Sequence, residues 1–312
     1  MLSRVADNLY WMSRYLERAE HTARVVGVHL NLMLEYGSAS HERRWPRVLR
    51  WLGSKEAVEG DAFAAAESYA LNQMLTSMTA ARENAQQVRE QISSDMWEEL
   101  NRLYHDSRRS GRQESFSANP FDLTFGVIGS SHMFQGITDS TMIHGEGWQF
   151  IQTGRFIERV QQTARLIDSH FNEFFRTDSD AMNAADNMEW IGLLRACTAF
   201  EAYCKVYTAE MRPERVAEFL LLNAEFPHSV RFGVDRLRNA LDAVHQATAS
   251  RKSDRLGKLA GRLTSSLSYT PLEEIIGNLR EYSANIKTLC GQIHTGIYQL
   301  YITYPIEQAL QA

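Results

Sequence analysis

The stretch that decides the fold is Arg14-Tyr15-Leu16-Glu17-Arg18-Ala19-Glu20-His21-Thr22-Ala23-Arg24, because the chain contains this pattern twice. It returns 141 positions later as Arg155-Phe156-Ile157-Glu158-Arg159-Val160-Gln161-Gln162-Thr163-Ala164-Arg165. Between 14–31 and 155–172, eight of the eighteen aligned residues are identical. Both copies have to satisfy the same geometry, so the repeat constrains the fold more than any single motif does.

Both copies predict long helices. Apolar or small residues recur at steps of three and four, which lays one stripe along each helix. Such stripes are typical of helices that pack nearly antiparallel in a bundle. The stripe residues are Leu2, Val5, Leu9, Met12, Leu16, Ala19, Ala23, Val26, Leu30 and Met33 in the first copy, and Phe150, Thr153, Ile157, Val160, Ala164, Ile167, Phe171 and Phe174 in the second.

The charged residues that the copies share lie off this stripe. In a heptad frame with Leu16 and Ile157 at position a, they fall at b, c and f, which a two-helix seam leaves to solvent. A solvated face would drift after duplication, so we expect this face to contact another helix layer, a pocket or a partner chain. The shared charged residues are Arg14, Glu17, Arg18 and Arg24 in the first copy, and Arg155, Glu158, Arg159 and Arg165 in the second.

Three interpretations of this charged face remain open at this point. The first is ordinary pairing within each helix, worth roughly 0.2–0.5 kcal/mol per pair. The second is a partly buried network in which the copies cross-pair, Glu17 with Arg159 and Glu158 with Arg18, at separations within about 4 Å. The third is a ligand-binding or catalytic role, since surplus arginines can hold a carboxylate or phosphate through two parallel hydrogen bonds.

Length and composition indicate an ordinary helical protein. At 312 residues the chain can form one large domain over 1–312, and the repeat also allows internal halves at 1–143 and 144–312. Its net charge of −5 shows no excess of basic residues, so no nucleic-acid partner is expected. No apolar run reaches the ~18–20 residues that span a bilayer, and the start lacks a signal-peptide core. We therefore expect no membrane association and a cytoplasmic location.

The fold class predicted is all-α, a multi-helix bundle of roughly ten helices around two pseudo-equivalent long Glu-Arg helices. No period-2 run flanked by turn signals suggests a strand. Several of the six prolines stand where a helix is expected to begin, a position that tolerates proline. The predicted helical segments are about 2–35, 45–52, 60–72, 72–93, 95–109, 121–142, 147–176, 186–209, 213–223, 228–248, 253–267 and 271–307.

Cysteine and metal chemistry finds little support in the sequence. Cys197, Cys204 and Cys290 form no C-x-x-C pattern, so we expect small buried hydrophobes rather than a disulfide or zinc framework. Di-metal bundles use Glu-x-x-His on facing helices. Here Glu17 and His21 are spaced i,i+4, and Gln162 replaces the histidine in the second copy. We therefore expect no metal and no cofactor.

A second polar segment, 81–93, carries Arg82, Glu83, Asn84 and Arg89. A solvated helix face would explain these residues. The neighbouring Trp97 suits instead a partly buried polar seam, since its indole combines an apolar body with one hydrogen-bond donor. Both interpretations remain open.

A third segment, 130–148, contains His132 and Asp139 at a spacing of seven residues. On a helix this spacing could place an acid near a base. A helix end with a flexible hinge explains the segment equally well.

At these residues the chain resembles the alpha-E family, bacterial helical domains named for a Glu-Arg motif. The resemblance is close to full length and rests on segments 9–20, 81–93, 154–159, 219–221 and 226–230. It points to Glu17, Arg18, Glu158, Arg159 and the Arg82-Glu83-Asn84 segment as the functional surface.

The resemblance also implies partners, since such domains tend to be encoded beside an ATP-grasp-type ligase and a transglutaminase-like peptidase. The leading expectation is a non-catalytic binding or scaffold subunit in peptide or amide-bond synthesis or modification. One alternative is an enzyme acting on an anionic peptide-like substrate, with Glu17 or Glu158 as general base. Another is a self-associating helical bundle, and the oligomeric state stays open.

Overall fold

The computed structural model describes residues 1–36, 41–54, 61–112, 116, 118–175, 184–248 and 254–303. This part of the chain contains thirteen α-helices and no strand, which confirms the predicted all-α class. The helices are α1 (Ser3–Tyr36), α2 (His41–Leu52), α3 (Ala62–Gln86), α4 (Ser94–Ser110), α5 (Pro120–Thr141), α6 (Glu146–Phe174), α7 (Ala184–Ala196), α8 (Phe200–Tyr207), α9 (Pro213–Leu222), α10 (Val230–Thr248), α11 (Asp254–Tyr269), α12 (Leu272–Gly277) and α13 (Leu279–Ile297).

Local sequence signals explain where several helices begin. The Asp61 carboxylate accepts hydrogen bonds from the amides of Phe63 and Ala64 at 2.9 and 3.2 Å, and so caps α3. Ser93 caps α4 in the same way through the amide of Met96. Such caps satisfy amides that have no partner within the first helical turn. Prolines open α5 and α9, as their positions in the sequence predicted.

Several predicted boundaries need correction. Helix α2 begins at His41 rather than near 45, and it contains Pro46. Segments 60–72 and 72–93 form one helix, α3, followed by a short 3₁₀ turn at Arg89–Gln91. The predicted helix 186–209 divides into α7 and α8, because Thr198 adopts a left-handed backbone with φ 52° that cannot continue a right-handed helix.

The C-terminal prediction, 271–307, covers three elements. They are α12, α13 and a π-helical turn at Tyr298–Thr303. Three segments between predicted helices are expected to be loops, at 37–41, 110–119 and 177–182, and each lies at least partly outside the described residues.

The two repeated helices lie side by side at the centre of the bundle. Helix α1 packs against α3, α5 and α6, while α6 packs also against α10 and α13. One connected hydrophobic core includes residues from Val5 in α1 to Ile302 in the last turn. Because neighbours surround both central helices, their polar faces are buried as well as their apolar stripes.

Helices α1 and α6 approach each other closely at Gly154. A Cβ atom on this glycine would lie 2.2 Å from Ser13 Oγ and 2.3 Å from the Tyr10 carbonyl oxygen. Only a residue without a side chain fits this backbone contact. Glycine therefore lets the two polar helix faces meet at hydrogen-bonding distance.

No helix in the described residues is both long enough and apolar enough to cross a lipid bilayer.

Candidate functional site: the Glu-Arg seam

The Glu-Arg seam is the contact between α1 and α6 formed by Arg14, Glu17, Arg18, Glu158 and Arg159. Arg159 donates to Glu17 from Nε at 2.5 Å and from Nη2 at 3.0 Å. Arg18 donates to Glu158 from Nε at 2.7 Å and from Nη2 at 3.1 Å. The predicted cross-pairing is therefore confirmed, and each arginine uses the two-pronged geometry that matches a carboxylate.

In an isolated two-helix seam these heptad positions would face solvent, but the surrounding helices bury most of them here. Glu17 and Glu158 are each only 3% exposed. The wider inference, that this face contacts something, is confirmed, since each repeated helix covers the polar face of the other. Buried charges are tolerated here because each carboxylate is paired and hydrogen-bonded.

Glu158 is the most completely bonded carboxylate of the seam. Besides the Arg18 fork it accepts hydrogen bonds from Arg14 Nε at 2.8 Å and from Gln162 Nε2 at 2.9 Å. Burial by itself would raise the pKa of Glu158, but Arg14 and Arg18 outweigh burial and lower this pKa to about 2. Arg14 therefore pairs with Glu158 on the other helix, and not with Glu17 on its own helix as pairing within one helix would require.

Aromatic residues and His294 surround the Arg14 guanidinium. Arg14 Nη1 donates to the Tyr10 hydroxyl at 3.2 Å, and the same hydroxyl lies 2.9 Å from His294 Nδ1 on α13. The guanidinium carbon lies 4.7 Å from the centre of the Trp11 ring. Burial opposes the charge of Arg14, but Glu158 outweighs it, so the pKa of Arg14 is raised. No sequence pattern connected His294 with this cluster, because His294 lies on another helix, α13.

The Glu17 half of the seam is less completely bonded. Arg155 occupies the repeat position of Arg14, yet it donates to Gln152 Oε1 at 3.3 Å rather than to Glu17. Burial and, to a smaller extent, the nearby Arg159 lower the pKa of Arg155 to about 10. Arg159 Nη1 also donates to the Pro227 carbonyl at 3.2 Å, which ties the seam to the start of α10.

Three histidines adjoin this half, and sequence reasoning placed only one of them, His21, near Glu17. His132 Nε2 lies 3.3 Å from Arg24 Nη2 and 3.5 Å from Glu20 Oε1, while Arg24 and Glu20 form an ion pair. His132 thus contacts these charges rather than Asp139. His21 and His228 complete the group.

The histidines of this half are held neutral. Burial lowers the pKa of His21 to about 4, with a smaller effect from Arg165. Burial also lowers the pKa of His132, and that of His228 well below its usual value, with Arg24 and Arg159 acting in the same direction. His21 in the first copy corresponds to Gln162 in the second. This change in the sequence could have indicated that the two halves of the seam differ.

Arg165 lies at the edge of the Glu158 half. Its Nη1 donates to the Leu52 carbonyl at 3.4 Å. Gly53, with φ +90°, provides the space, since a Cβ there would lie 2.4 Å from Arg165 Nη1. Burial lowers the pKa of Arg165.

The second predicted cluster lies between α3 and α4. Arg82 Nε donates to Asn101 Oδ1 at 2.7 Å, and its guanidinium stacks on Trp97 and Tyr104. Arg89 stacks on the Trp97 ring at 4.6 Å. The polar-seam interpretation therefore fits Arg82, which is partly buried.

The neighbours of Arg82 take different positions. Glu83 is exposed, and Asn84 bonds to the carbonyl of Ala80 in its own helix at 2.7 Å. Among the described residues, Arg82 and Arg89 form no hydrogen bond or ion pair with α1 or α6.

The cysteines follow the prediction in part. Cys197 and Cys290 are buried, and burial raises the pKa of each thiol to about 12, whereas Cys204 is partly exposed. Within the described ranges, no three His, Cys, Asp or Glu side chains converge as ligands of a metal ion.

An open hollow of about 670 Å³ lies away from the seam, beside the end of α6 and the start of α13. Asp168 lines it and forms an ion pair with Lys287 at 2.9 Å. Because the hollow also borders Phe175, beside the undescribed segment 176–183, we assign no site to it.

The fold and the seam define an all-helical domain built around paired Glu-Arg dipeptides. A family model matches residues 1–302, and its description is a predicted alpha-helical domain with a conserved ER motif. The chain belongs to this family, Alpha-E. The resemblance found in the sequence is thereby confirmed.

Curated relatives include uncharacterized protein Rv2567 of Mycobacterium tuberculosis and uncharacterized protein Mb2597 of Mycobacterium bovis. Each is 22% identical over 284 residues, covering 81% of this chain and 31% of the relative. The chain therefore matches about a third of the length of these relatives. No solved structure matches the chain.

Proposed function

We propose that this domain is a non-catalytic binding or scaffold subunit that works with an ATP-grasp-type ligase in peptide or amide-bond synthesis or modification. The proposal rests on Glu158. Both oxygens of its carboxylate accept hydrogen bonds, from Arg14, Arg18 and Gln162. A general base needs access to its proton and a pKa near the working pH. A carboxylate with a pKa of about 2 is a weak base at neutral pH.

Glu17 is also poorly disposed for catalysis. Both of its oxygens accept hydrogen bonds from the Arg159 fork, and the side chain is buried. Taking a proton from a substrate would require breaking this contact. The geometry therefore favours a binding role over an enzyme in which either glutamate acts as general base.

The length of the relatives supports a role beside another protein unit. In those proteins the matching region is 31% of a longer chain. A domain that occurs within a larger polypeptide has a neighbour on which it can act. The family resemblance suggests what this unit is. We propose an ATP-grasp-type ligase as the first partner and a transglutaminase-like peptidase as the second.

The exposed face of α5 is the surface we propose for docking the ligase. Phe125 and Met133 are 59% and 54% exposed there. Gly126, Gly129 and Gly136 share this face, and a Cβ on any of them would meet nothing within 4 Å. Glycine within a helix costs about 1 kcal/mol relative to alanine. Since the fold itself does not require these glycines, we infer that they keep the face flat for a partner.

Co-expression with an ATP-grasp-type ligase from the same genome tests the partnership. Wild-type chain and ligase should co-elute in size-exclusion chromatography. A charge placed on the docking face by Met133→Asp should abolish co-elution. Tyr269→Asp is the matched control, because Tyr269 is 85% exposed on α11, and it should leave the complex intact. Absence of a wild-type complex would refute the partnership.

The Glu17→Gln/Glu158→Gln double variant tests the non-catalytic role. It is assayed at a temperature where circular dichroism shows it folded. If the complex assembles and amide-bond product still forms, the scaffold role is supported. If the complex assembles but product disappears, the role is wrong and the general-base alternative takes its place.

A further inference from the structure

We propose that the Glu17 half of the seam binds the anionic group, carboxylate or phosphate, of a small ligand through Arg24, Arg155 and Arg159, with His132 at the entrance. This inference rests on the proposed binding role and specifies the chemistry of what is bound. The three arginines come from α1 and α6, and each is 8% exposed. Arg159 pairs with Glu17, and Arg24 pairs with Glu20. Arg155 forms no ion pair among the described residues, although the charges of Glu17 and Asp139 act on it.

Several buried polar atoms on and beside these arginines are unsatisfied. His21 Nε2, Arg24 Nε and Gln152 Nε2 have no hydrogen-bond partner within the part of the chain that the structure describes. Glu20 Oε1 lacks a hydrogen bond as well, although it forms an ion pair with Arg24. Leaving a buried donor unpaired costs about 1–3 kcal/mol. An anion supplies several acceptor lone pairs at once, and therefore suits buried arginines that have unpaired donors beside them.

The other copy of the repeat provides an internal reference. Gln162, at the position of His21, donates to Glu158 at 2.9 Å. Arg14, at the position of Arg155, donates to Glu158 and to the Tyr10 hydroxyl. The position of Gln162 is thus satisfied in one half, whereas His21 Nε2 at the same position of the other half is unsatisfied. Arg155 donates to Gln152 rather than to a carboxylate. General strain in the repeat would affect both halves, so the difference points to a function of the Glu17 half.

His132 connects the buried side chains of the Glu17 half with solvent. Its side chain is 54% exposed, and its ring contacts both Arg24 and Glu20. It lies on the same exposed face of α5 as Gly129 and Met133. A partner docked on that face would cover the entrance, and the bound group would then be enclosed between the two proteins.

Thermal unfolding with inorganic phosphate or acetate tests the site, with sodium chloride of equal ionic strength as reference. An anion that binds the native state raises the apparent Tm by mass action. Phosphate also stabilises proteins non-specifically, because it is excluded from their surface. Wild type should therefore be stabilised by at least one of the two probes beyond chloride, and by more than the Arg24→Gln variant is. Phosphate alone would identify a phosphoryl ligand, and acetate alone a carboxylic acid. If neither probe stabilises beyond chloride, the proposal is overturned.

Matched substitutions at equivalent repeat positions locate the effect. Arg24→Gln should weaken the apparent Kd by about tenfold to a hundredfold, as expected for losing a charged hydrogen-bonding partner. Arg165→Gln removes the same side chain from the other half and should leave the Kd unchanged. Equal weakening in both variants would overturn the assignment to the Glu17 half.

A second pair of variants covers the case in which Arg24→Gln fails to fold. His132→Ala changes the exposed entrance and should weaken binding severalfold. His144→Ala changes another exposed histidine, which bonds to the Asp139 carbonyl, and should have no effect. Binding that His132→Ala leaves unchanged would contradict the proposed entrance.

The ligase partnership and the anion site can be refuted independently of each other. Anion binding that survives without any ligase complex refutes the partner and leaves the site intact. A ligase complex that forms without anion binding in any variant refutes the site and leaves the partnership intact.

Discussion

Ser13 and Gly154 occupy equivalent positions of the two repeats and contact each other where α1 crosses α6. A Cβ on Gly154 would lie 2.2 Å from Ser13 Oγ. The copies therefore meet at the residue that precedes the first arginine of each motif. This contact brings Arg18 within 2.7 Å of Glu158 and Arg159 within 2.5 Å of Glu17.

The first prediction concerns this crossing. Gly154→Ala should destabilise the protein by about 1–3 kcal/mol, the usual cost of overpacking, because the Tyr10 carbonyl cannot move aside as a flexible side chain would. Urea unfolding followed by circular dichroism measures the change. Gly136→Ala is the control on the open face of α5, and it should gain up to about 1 kcal/mol from higher helix propensity. Equal effects at both sites would argue against the close approach.

The second prediction concerns the seam. Glu158→Gln should cost about 3–5 kcal/mol, because Arg14 and Arg18 would remain buried or half-buried without their carboxylate. The same unfolding experiment measures it. Asp106→Asn breaks an exposed pair with Arg109 and should cost less than about 1 kcal/mol. A cost for Glu158→Gln as small as that of the control would show that the seam contributes little to stability.

The third prediction uses the mismatch between the repeats. His21→Gln supplies the side chain that donates to Glu158 from the equivalent position in the other copy. We expect a gain of about 1 kcal/mol at neutral pH, the net value of a typical hydrogen bond formed with Glu17. A loss of stability at neutral pH would contradict the equivalence of the two positions.

This variant should also change the response to acid. The pKa of His21 falls from 6.5 in the unfolded chain to about 4 in the fold, where Arg165, Glu17 and Glu158 are the charged groups that act on it. The unfolded chain therefore binds the proton first, and wild type loses stability as pH falls from 6.5 to 4. At about 1.4 kcal/mol per pKa unit this loss is at most about 3.5 kcal/mol. His21→Gln should reduce the loss, measured as unfolding free energy against pH.

The fourth prediction concerns the thiols. Because burial raises the pKa of Cys197 and Cys290 to about 12, these thiols should resist an aromatic disulfide reagent in the native protein. One thiol of three, Cys204, should react, and all three should react in denaturant. Cys204→Ser should abolish native labelling, whereas Cys290→Ser should not change it. Labelling of Cys290 in the native state would contradict its burial.

Sequence periodicity located the elements well where one apolar stripe was continuous. The first repeated helix was predicted at 2–35 and runs from Ser3 to Tyr36. The prediction failed at Thr198, because a single left-handed residue interrupts a helix without altering the surrounding apolar pattern. Residue spacing alone does not encode such a backbone angle.

The sequence predicted which charged residues of the candidate site pair with each other. It did not predict which residues surround those pairs. Cross-pairing of Glu17 and Glu158 followed from the repeat, since buried charges need partners. His132, His228 and His294 come from other elements, and no local pattern connects them with the motif.

The sequence by itself determined the all-α class, the pseudo-equivalence of α1 and α6, and the residue types that pair across them. Periodicity and repetition are properties of the chain, so they can be read before folding. Tertiary structure alone decided that the polar faces meet inside the bundle and that the two halves differ. Those outcomes depend on the close approach at Gly154 and on neighbours from α5, α10 and α13. Burial is a property of the whole assembly of helices, and no single helix specifies it.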